Sequence, residues 1–239
     1  MEQSPLINKA LAGHPLLLQA QVPGARPVLP SGHAALDAAL HGGGWPQGAL
    51  IELLMAPPGI GELHLLAPAL HQALQRPGWL VLVTPPGLPH APAWQAAGLP
   101  VERLLVVQPD NPRDWLWSVD QAARAGMPAV LAWPGRVSLN GKTLRRLQLA
   151  AEEGGGLLVL SRRPPSGQEA SPAALRMLLQ GAGAGLNLNI LKQRGGWGGQ
   201  QLRVALPLPE APPPPLTLWG QEPAATPRRS PAPRLSLVG

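Results

Sequence analysis

The sequence contains no cysteine, no tyrosine and no phenylalanine. Without cysteine there are no disulfides, no thiolate metal sites and no cysteine nucleophile. Without Phe and Tyr, the core must be filled by Leu, Val, Ala and the eight tryptophans. Charged residues are also scarce, at 13% of the chain. No apolar run reaches the roughly 18 residues of a membrane span. The opening stretch, MEQSPLINKALAGHPLLLQA, places Glu2 first and has only a broken apolar segment, so it reads poorly as a signal peptide. The chain is therefore expected to work in the cytoplasm, away from membranes.

Glycine and proline are abundant, with 28 and 32 residues in a chain of 239. That length suits one large domain, or one domain and a tail. The formal net charge of +6 comes mostly from arginine and invites an anionic partner such as nucleic acid. Arginine-favouring codon usage would give the same excess.

The pattern along the chain alternates strand and helix. Residues 1–30 read as a short helix and a linker, and Ser31 is placed to cap the helix that follows. A strand at 49–55 leads to a second helix, ELHLLAPALHQALQ, with Pro68 as a kink. GWLVLVTPP, RLLVVQP, PAVLAWP and LLVLSRRPP are apolar runs bounded by turn residues, as strands buried on both faces require. Helical segments separate them: APAWQAAGL, then 112–126, then NGKTLRRLQLAAEEGGG. SPAALRMLLQ fits helix or strand, and GLNLNILKQRGG with QQLRVALPL reads as a terminal antiparallel pair. Alternation of this kind argues for a doubly wound α/β fold with a mostly parallel sheet over residues 31–206. No internal repeat is visible. From 207 to 239 proline dominates and apolar periodicity stops, so this tail is expected to be disordered.

One loop raises the question of chemistry. MAPPGIGELHLL follows a strand and precedes a helix, as a phosphate-binding loop does. Gly59 and Gly61 are present, and Gly61 takes the place of that motif's last glycine. Glu62 then stands where the lysine belongs, and Leu63 where Ser or Thr belongs. The lysine would contact the β- and γ-phosphates and the hydroxyl would hold magnesium. Glu62 instead carries negative charge toward a polyanion, and Pro57 and Pro58 lack backbone donors. A carboxylate in a first helical turn is also favourable in its own right.

The six histidines offer no metal-ligand spacing; His64 and His71 share a helix face without a partnering carboxylate. Lys142, Arg145 and Arg146 open a helix that closes on Glu152 and Glu153, against the helix dipole at both ends. This is either a solvated face or a docking surface. Arg162, Arg163, Lys192, Arg194 and Trp197 could pair phosphates and stack a base, or stand as solvated loops. Trp115 and Trp117 are two apart in a helix, so one is expected in the core and the other is a candidate interface anchor. PLTLW around Trp219 and PRLSLVG at the end resemble docking peptides within the tail.

Four segments together carry a resemblance: GWPQGALIELL, PGIGELHLLAPAL, LRRLQLAAEEGG and LKQRGGW. They resemble the translesion-synthesis-associated ImuA family, which is RecA-like and related to the cell-division inhibitor SulA. The resemblance spans roughly residues 30–205. It implies a role in the SOS response beside an ImuB-like inactive Y-family polymerase, RecA and an error-prone polymerase, with association at the nucleoid after DNA damage. In the RecA layout a magnesium-supporting carboxylate would fall at Trp133, and the water-activating base near Pro86. The loop is thus read as degenerate, the chain as a non-enzyme with no cofactor, and DNA binding as nonspecific. The alternative reading is a SulA-like inhibitor that binds FtsZ. The basic loops SRRPPSGQ and KQRGGWGG are both expected near the C-terminal ends of the central strands, where RecA-like folds face DNA.

Overall fold

The computed structural model describes residues 27–135, 137–164 and 170–206. The expected N-terminal helix and the proline-rich tail with Trp219 lie outside the described residues.

Ten strands are present among the described residues. β1 (Val28–Leu29) and β2 (Trp45–Pro46) form a small antiparallel ribbon. The other eight build one sheet: β3 (Ala49–Leu54), β4 (Leu80–Val83), β5 (Leu104–Val107), β6 (Ala129–Ala132), β7 (Leu157–Arg162), β8 (Leu175–Gly181), β9 (Gly185–Gln193) and β10 (Gln200–Ala205). Their order is β5-β4-β6-β7-β3-β8-β9-β10. All pairings from β5 to β8 are parallel, and β9 and β10 add antiparallel. SPAALRMLLQ therefore resolves to strand, and the terminal antiparallel pair is present as read.

Helices α1 (Ala34–Ala39), α2 (Glu62–Ala73), α3 (Ala91–Ala96), α4 (Pro112–Arg124) and α5 (Gly141–Gly154) cover the sheet. Two apolar layers result. One joins Ile51, Leu53 and Met55 to α2, Trp45 and Trp94. The other joins Leu50, Val81 and Val130 to α4 and α5 through Trp115, Val119, Leu144 and Leu147. β3 is buried at every position, and apart from Glu52 it is apolar, because helices close both faces of the sheet. Asn111 and Asn140 cap α4 and α5 by accepting from the amides of Asp114 and Thr143. Gly155, at φ +69°, ends α5 in the left-handed conformation that favours glycine.

Ser31 does not cap α1. His33 holds the N-cap position, and the Ser31 hydroxyl instead accepts the His33 amide at 3.1 Å. The Ser31 amide donates to Asp37 at 2.8 Å, so the residue closes a local turn ahead of the helix. The segment expected as linker up to residue 30 also ends differently, because Val28 and Leu29 are drawn into the ribbon by Pro46 and Trp45.

α4 and α5 are tied by charge as well as by packing. Asp120 is buried, and its carboxylate accepts two hydrogen bonds from Arg146, both at 3.0 Å, and one from Arg124 at 3.2 Å. Arg124 also reaches Glu153. Hydrogen bonding from Arg146 holds the Asp120 carboxyl below its usual value of 3.8 despite the opposing effect of burial. The ionised form thus adds stability that is complete above the ordinary Asp range and fades as pH falls through it. Asp120→Asn is expected to cost about 1–3 kcal/mol and to flatten the acid limb of a Tm-against-pH curve below pH about 4. An unchanged acid limb would show that Asp120 does not carry it.

Candidate functional site

The loop from Met55 to Gly61 joins β3 to α2 at the C-terminal end of the sheet. Gly61 sits at φ +115°, and a Cβ there would lie 2.6 Å from Leu206, so only glycine fits the turn. Glu62, the first residue of α2, is almost fully buried. Its carboxylate folds back over the loop and accepts the amide of Gly59 at 2.8 Å and that of Gly61 at 3.2 Å. Two of the loop amides, of the kind a phosphate loop offers to its ligand, are thus engaged by the chain's own carboxylate. An anion arriving here meets a negative charge already seated on those amides. Leu63 turns to the apolar layer that α2 shares with the sheet.

Beside the loop lies a cleft of about 680 Å³ at the C-terminal ends of β3, β4, β6 and β7. This is the region where open α/β sheets bind their ligands. Met55, Pro58, Pro86, Trp133, Ser161 and Arg163 are among its walls, and no carboxylate lines it among the described residues. Trp133 and Pro86, the residues at or near which the resemblance led acids to be expected, both line this cleft. Thr84, at the end of β4, adopts φ +51°, a conformation rare outside glycine that clusters at functional sites.

The basic residues separate into different places. Arg162 donates to Glu52 at 2.8 Å, and Arg176 meets the other oxygen of the same carboxylate at 2.8 Å. Glu52 is fully buried in β3, so this pairing stitches β7, β3 and β8 together. Arg163 is exposed at the cleft rim. Lys142 and Arg145 are exposed on the first turns of α5, shortly after the cleft-lining Leu139. Arg146 is occupied by Asp120.

KQRGGWGG does not fall near the C-terminal ends of the central strands. β9 runs antiparallel to β8, and the Arg194 amide donates to Ala174, whose own amide donates to Leu50 near the start of β3. Arg194 and Trp197 therefore lie at the opposite end of the sheet from Arg163. Lys192 donates to the Ser171 carbonyl at 2.6 Å, and burial pushes its pKa down, aided by Arg194 and Arg176. Arg194 reaches Glu152 at 3.5 Å, and Trp197 is 86% exposed at the hairpin turn. Trp115 is the core member of its pair, donating to the Trp133 carbonyl at 3.0 Å; Trp117 is 59% exposed. Glu52 and Asp120 were missed as organising residues. The signal for Glu52 was visible, a lone acid within the apolar run ALIELLM.

Comparisons with known proteins find similarity over part of the chain. A family model described as cell division inhibitor SulA matches residues 50–157. RecA from Streptomyces ambofaciens is 33% identical over 99 residues, 41% of this chain and 26% of that protein. RecA from Thermus thermophilus is 36% identical over 104 residues, 44% of this chain and 30% of that one. The chain is thus similar to RecA over less than half of its length, and to the SulA family model over residues 50–157. The crystal structure of SulA from Pseudomonas aeruginosa is 28% identical and covers 48% of this chain and 98% of its own, with a TM-score of 0.39. The chain spans less than a third of the length of the RecA proteins it matches. Among the described residues no helix is long and apolar enough to cross a membrane.

Glu62→Ala is expected to remove two hydrogen bonds and a favourable helix-start charge, costing about 1–2 kcal/mol. At this chain length that lowers Tm by roughly 2–8 °C. A Tm within a degree of wild type would show that the carboxylate does not hold the loop.

Proposed function

We propose that this chain is a non-catalytic, RecA-like adaptor in SOS-induced translesion synthesis, acting with an ImuB-type inactive Y-family polymerase, RecA and an error-prone polymerase. The observation that carries the non-catalytic part is the Glu62 carboxylate seated on the amides of Gly59 and Gly61. It supports a degenerate phosphate loop maintained as scaffold. The polar roles of phosphoryl transfer, a lysine and a magnesium-holding hydroxyl, are absent from Glu62 and Leu63. The partners are carried by the resemblance in the four quoted segments.

A SulA-like role, inhibiting division by binding FtsZ, is the second reading, favoured by the family match over residues 50–157. The sheet continues past that segment through β8, β9 and β10 to Ala205, which gives the adaptor reading additional surface. Lys142, Arg145 and Arg163 are exposed and make no ion pair among the described residues, and they supply a nonspecific contact for DNA.

The purified full chain is expected to show no ATP turnover above a mock preparation, and Glu62→Lys with Leu63→Thr is expected to leave it inactive. Turnover by wild type would overturn the non-catalytic reading. Two-hybrid pairing separates the two roles: association with an ImuB-type protein supports the adaptor, whereas FtsZ association with filamentation on expression supports the SulA-like role. DNA affinity is expected to fall steeply with salt and to drop in Lys142→Ala with Arg145→Ala for every sequence alike. A salt-insensitive affinity would exclude the electrostatic contact.

A further inference from the structure

The cleft at the C-terminal ends of the central strands carries two polar groups that no described residue satisfies. Trp133 is only 7% exposed, and its indole N–H is sheltered from water with no acceptor among the described residues. The Thr84 hydroxyl is sheltered and unpartnered in the same way. Folded chains ordinarily pair such groups, so each one left over asks for a reason. Both residues line the cleft. They leave adjacent strands side by side, because the carbonyl of Val83 accepts the Trp133 amide at 3.0 Å. Both are also firmly held. The Thr84 amide donates to the Val107 carbonyl at 2.9 Å, and the Trp133 carbonyl accepts the Trp115 indole at 3.0 Å. The positive φ of Thr84 places backbone strain at the same spot.

The rest of the cleft is largely apolar or positive. Pro58, Pro86, Pro134, Val137 and Leu139 supply rigid apolar wall. Arg162 is held by Glu52, whereas Arg163 is exposed at the rim and makes no ion pair among the described residues. We infer that this cleft binds a small organic acid, one carboxylate on a flat apolar body. Arg163 supplies the opposing charge, the Trp133 indole and the Thr84 hydroxyl supply sheltered donors, and the proline-lined wall takes the body. A hydrogen bond to a charged oxygen is stronger in such a low-dielectric setting than in water. A space of about 680 Å³ suits a ligand of that size. A nucleotide does not match it: a polyphosphate brings several negative charges to one unopposed arginine, beside a Glu62 carboxylate already seated on the loop amides. The inference rests on the reading of the loop as degenerate and adds a ligand class to it. It is independent of the choice between the adaptor and the SulA-like role.

The test titrates the isotope-labelled full chain with naphthoate and follows the tryptophan indole N–H resonances by NMR, with Trp133→Phe assigning the Trp133 signal. A saturable downfield shift of that signal is expected, with one molecule bound per chain. Naphthamide has the same body without the charge and is expected to bind about tenfold more weakly. Arg163→Gln is expected to bring the acid to the level of the amide while leaving the affinity of the amide and the melting temperature unchanged. Thr84→Val exchanges the unsatisfied hydroxyl for a methyl of similar shape. It is expected to keep the melting temperature at or above wild type and to weaken the acid about tenfold. The proposal is overturned if naphthoate leaves the Trp133 signal in place, if naphthamide binds as tightly as the acid, or if Arg163→Gln changes neither affinity. Silence of Trp133 toward both naphthoate and ATP overturns the ligand site and leaves the degenerate-loop reading standing. ATP displacing naphthoate from Trp133 overturns the site as well, and turnover in that sample marks the loop reading as the part that failed.

Discussion

A carboxylate in the middle of a central strand organises the sheet. β3 is buried at every position, with β7 on one side and β8 on the other. Glu52 is the only charge in that strand, and its cost of burial is offset by Arg162 from β7 and Arg176 from β8. In the observed register of the three strands these side chains meet. The same register sets the cleft, because the C-terminal ends of β3 and β7 supply Met55, Ser161 and Arg162 to its wall. The loop that carries Glu62 leaves from the end of β3 as well.

This arrangement changes the meaning of the positive charge. Several of the basic groups are structural: Arg162 and Arg176 on Glu52, and Arg124 and Arg146 on Asp120. Arg103 closes the end of α2 by donating to the carbonyls of Leu74, Arg76 and Gly78. The charge left for an anionic partner is smaller than the formal +6 suggests, and it is divided between opposite ends of the sheet. Arg163 stands at the cleft end, with Lys142 and Arg145 shortly after the cleft-lining Leu139; Arg194 stands at the other end with Trp197. A single continuous nucleic-acid track through all of them does not exist among the described residues.

Much of the fold was legible because strand and helix announce themselves through apolar runs and punctuation. GWLVLVTPP, PAVLAWP and LLVLSRRPP each became a parallel strand, and the expected antiparallel pair closed the sheet. The end of α5 at its run of glycines was visible for the same local reason. SPAALRMLLQ was ambiguous because a short apolar run fits either period, and only pairing with β3 decided it. Ser31 was misplaced because capping competes with any nearby acceptor or donor, and Asp37 with His33 offered a tighter turn.

By itself the sequence determined the element order, the identity of the loop residues and the substitutions at Glu62 and Leu63, because these depend on neighbours within a few residues. The tertiary structure decided where Glu62 points, which tryptophan of the 115–117 pair is buried, and which arginines have partners. It also decided that KQRGGWGG lies at the far end of the sheet, since an antiparallel strand reverses the end at which its following turn emerges. Each of these depends on residues tens of positions apart in the chain, such as Glu52 with Arg162 or Asp120 with Arg146. No local pattern encodes those distances; the register of the sheet and the packing of α4 on α5 create them.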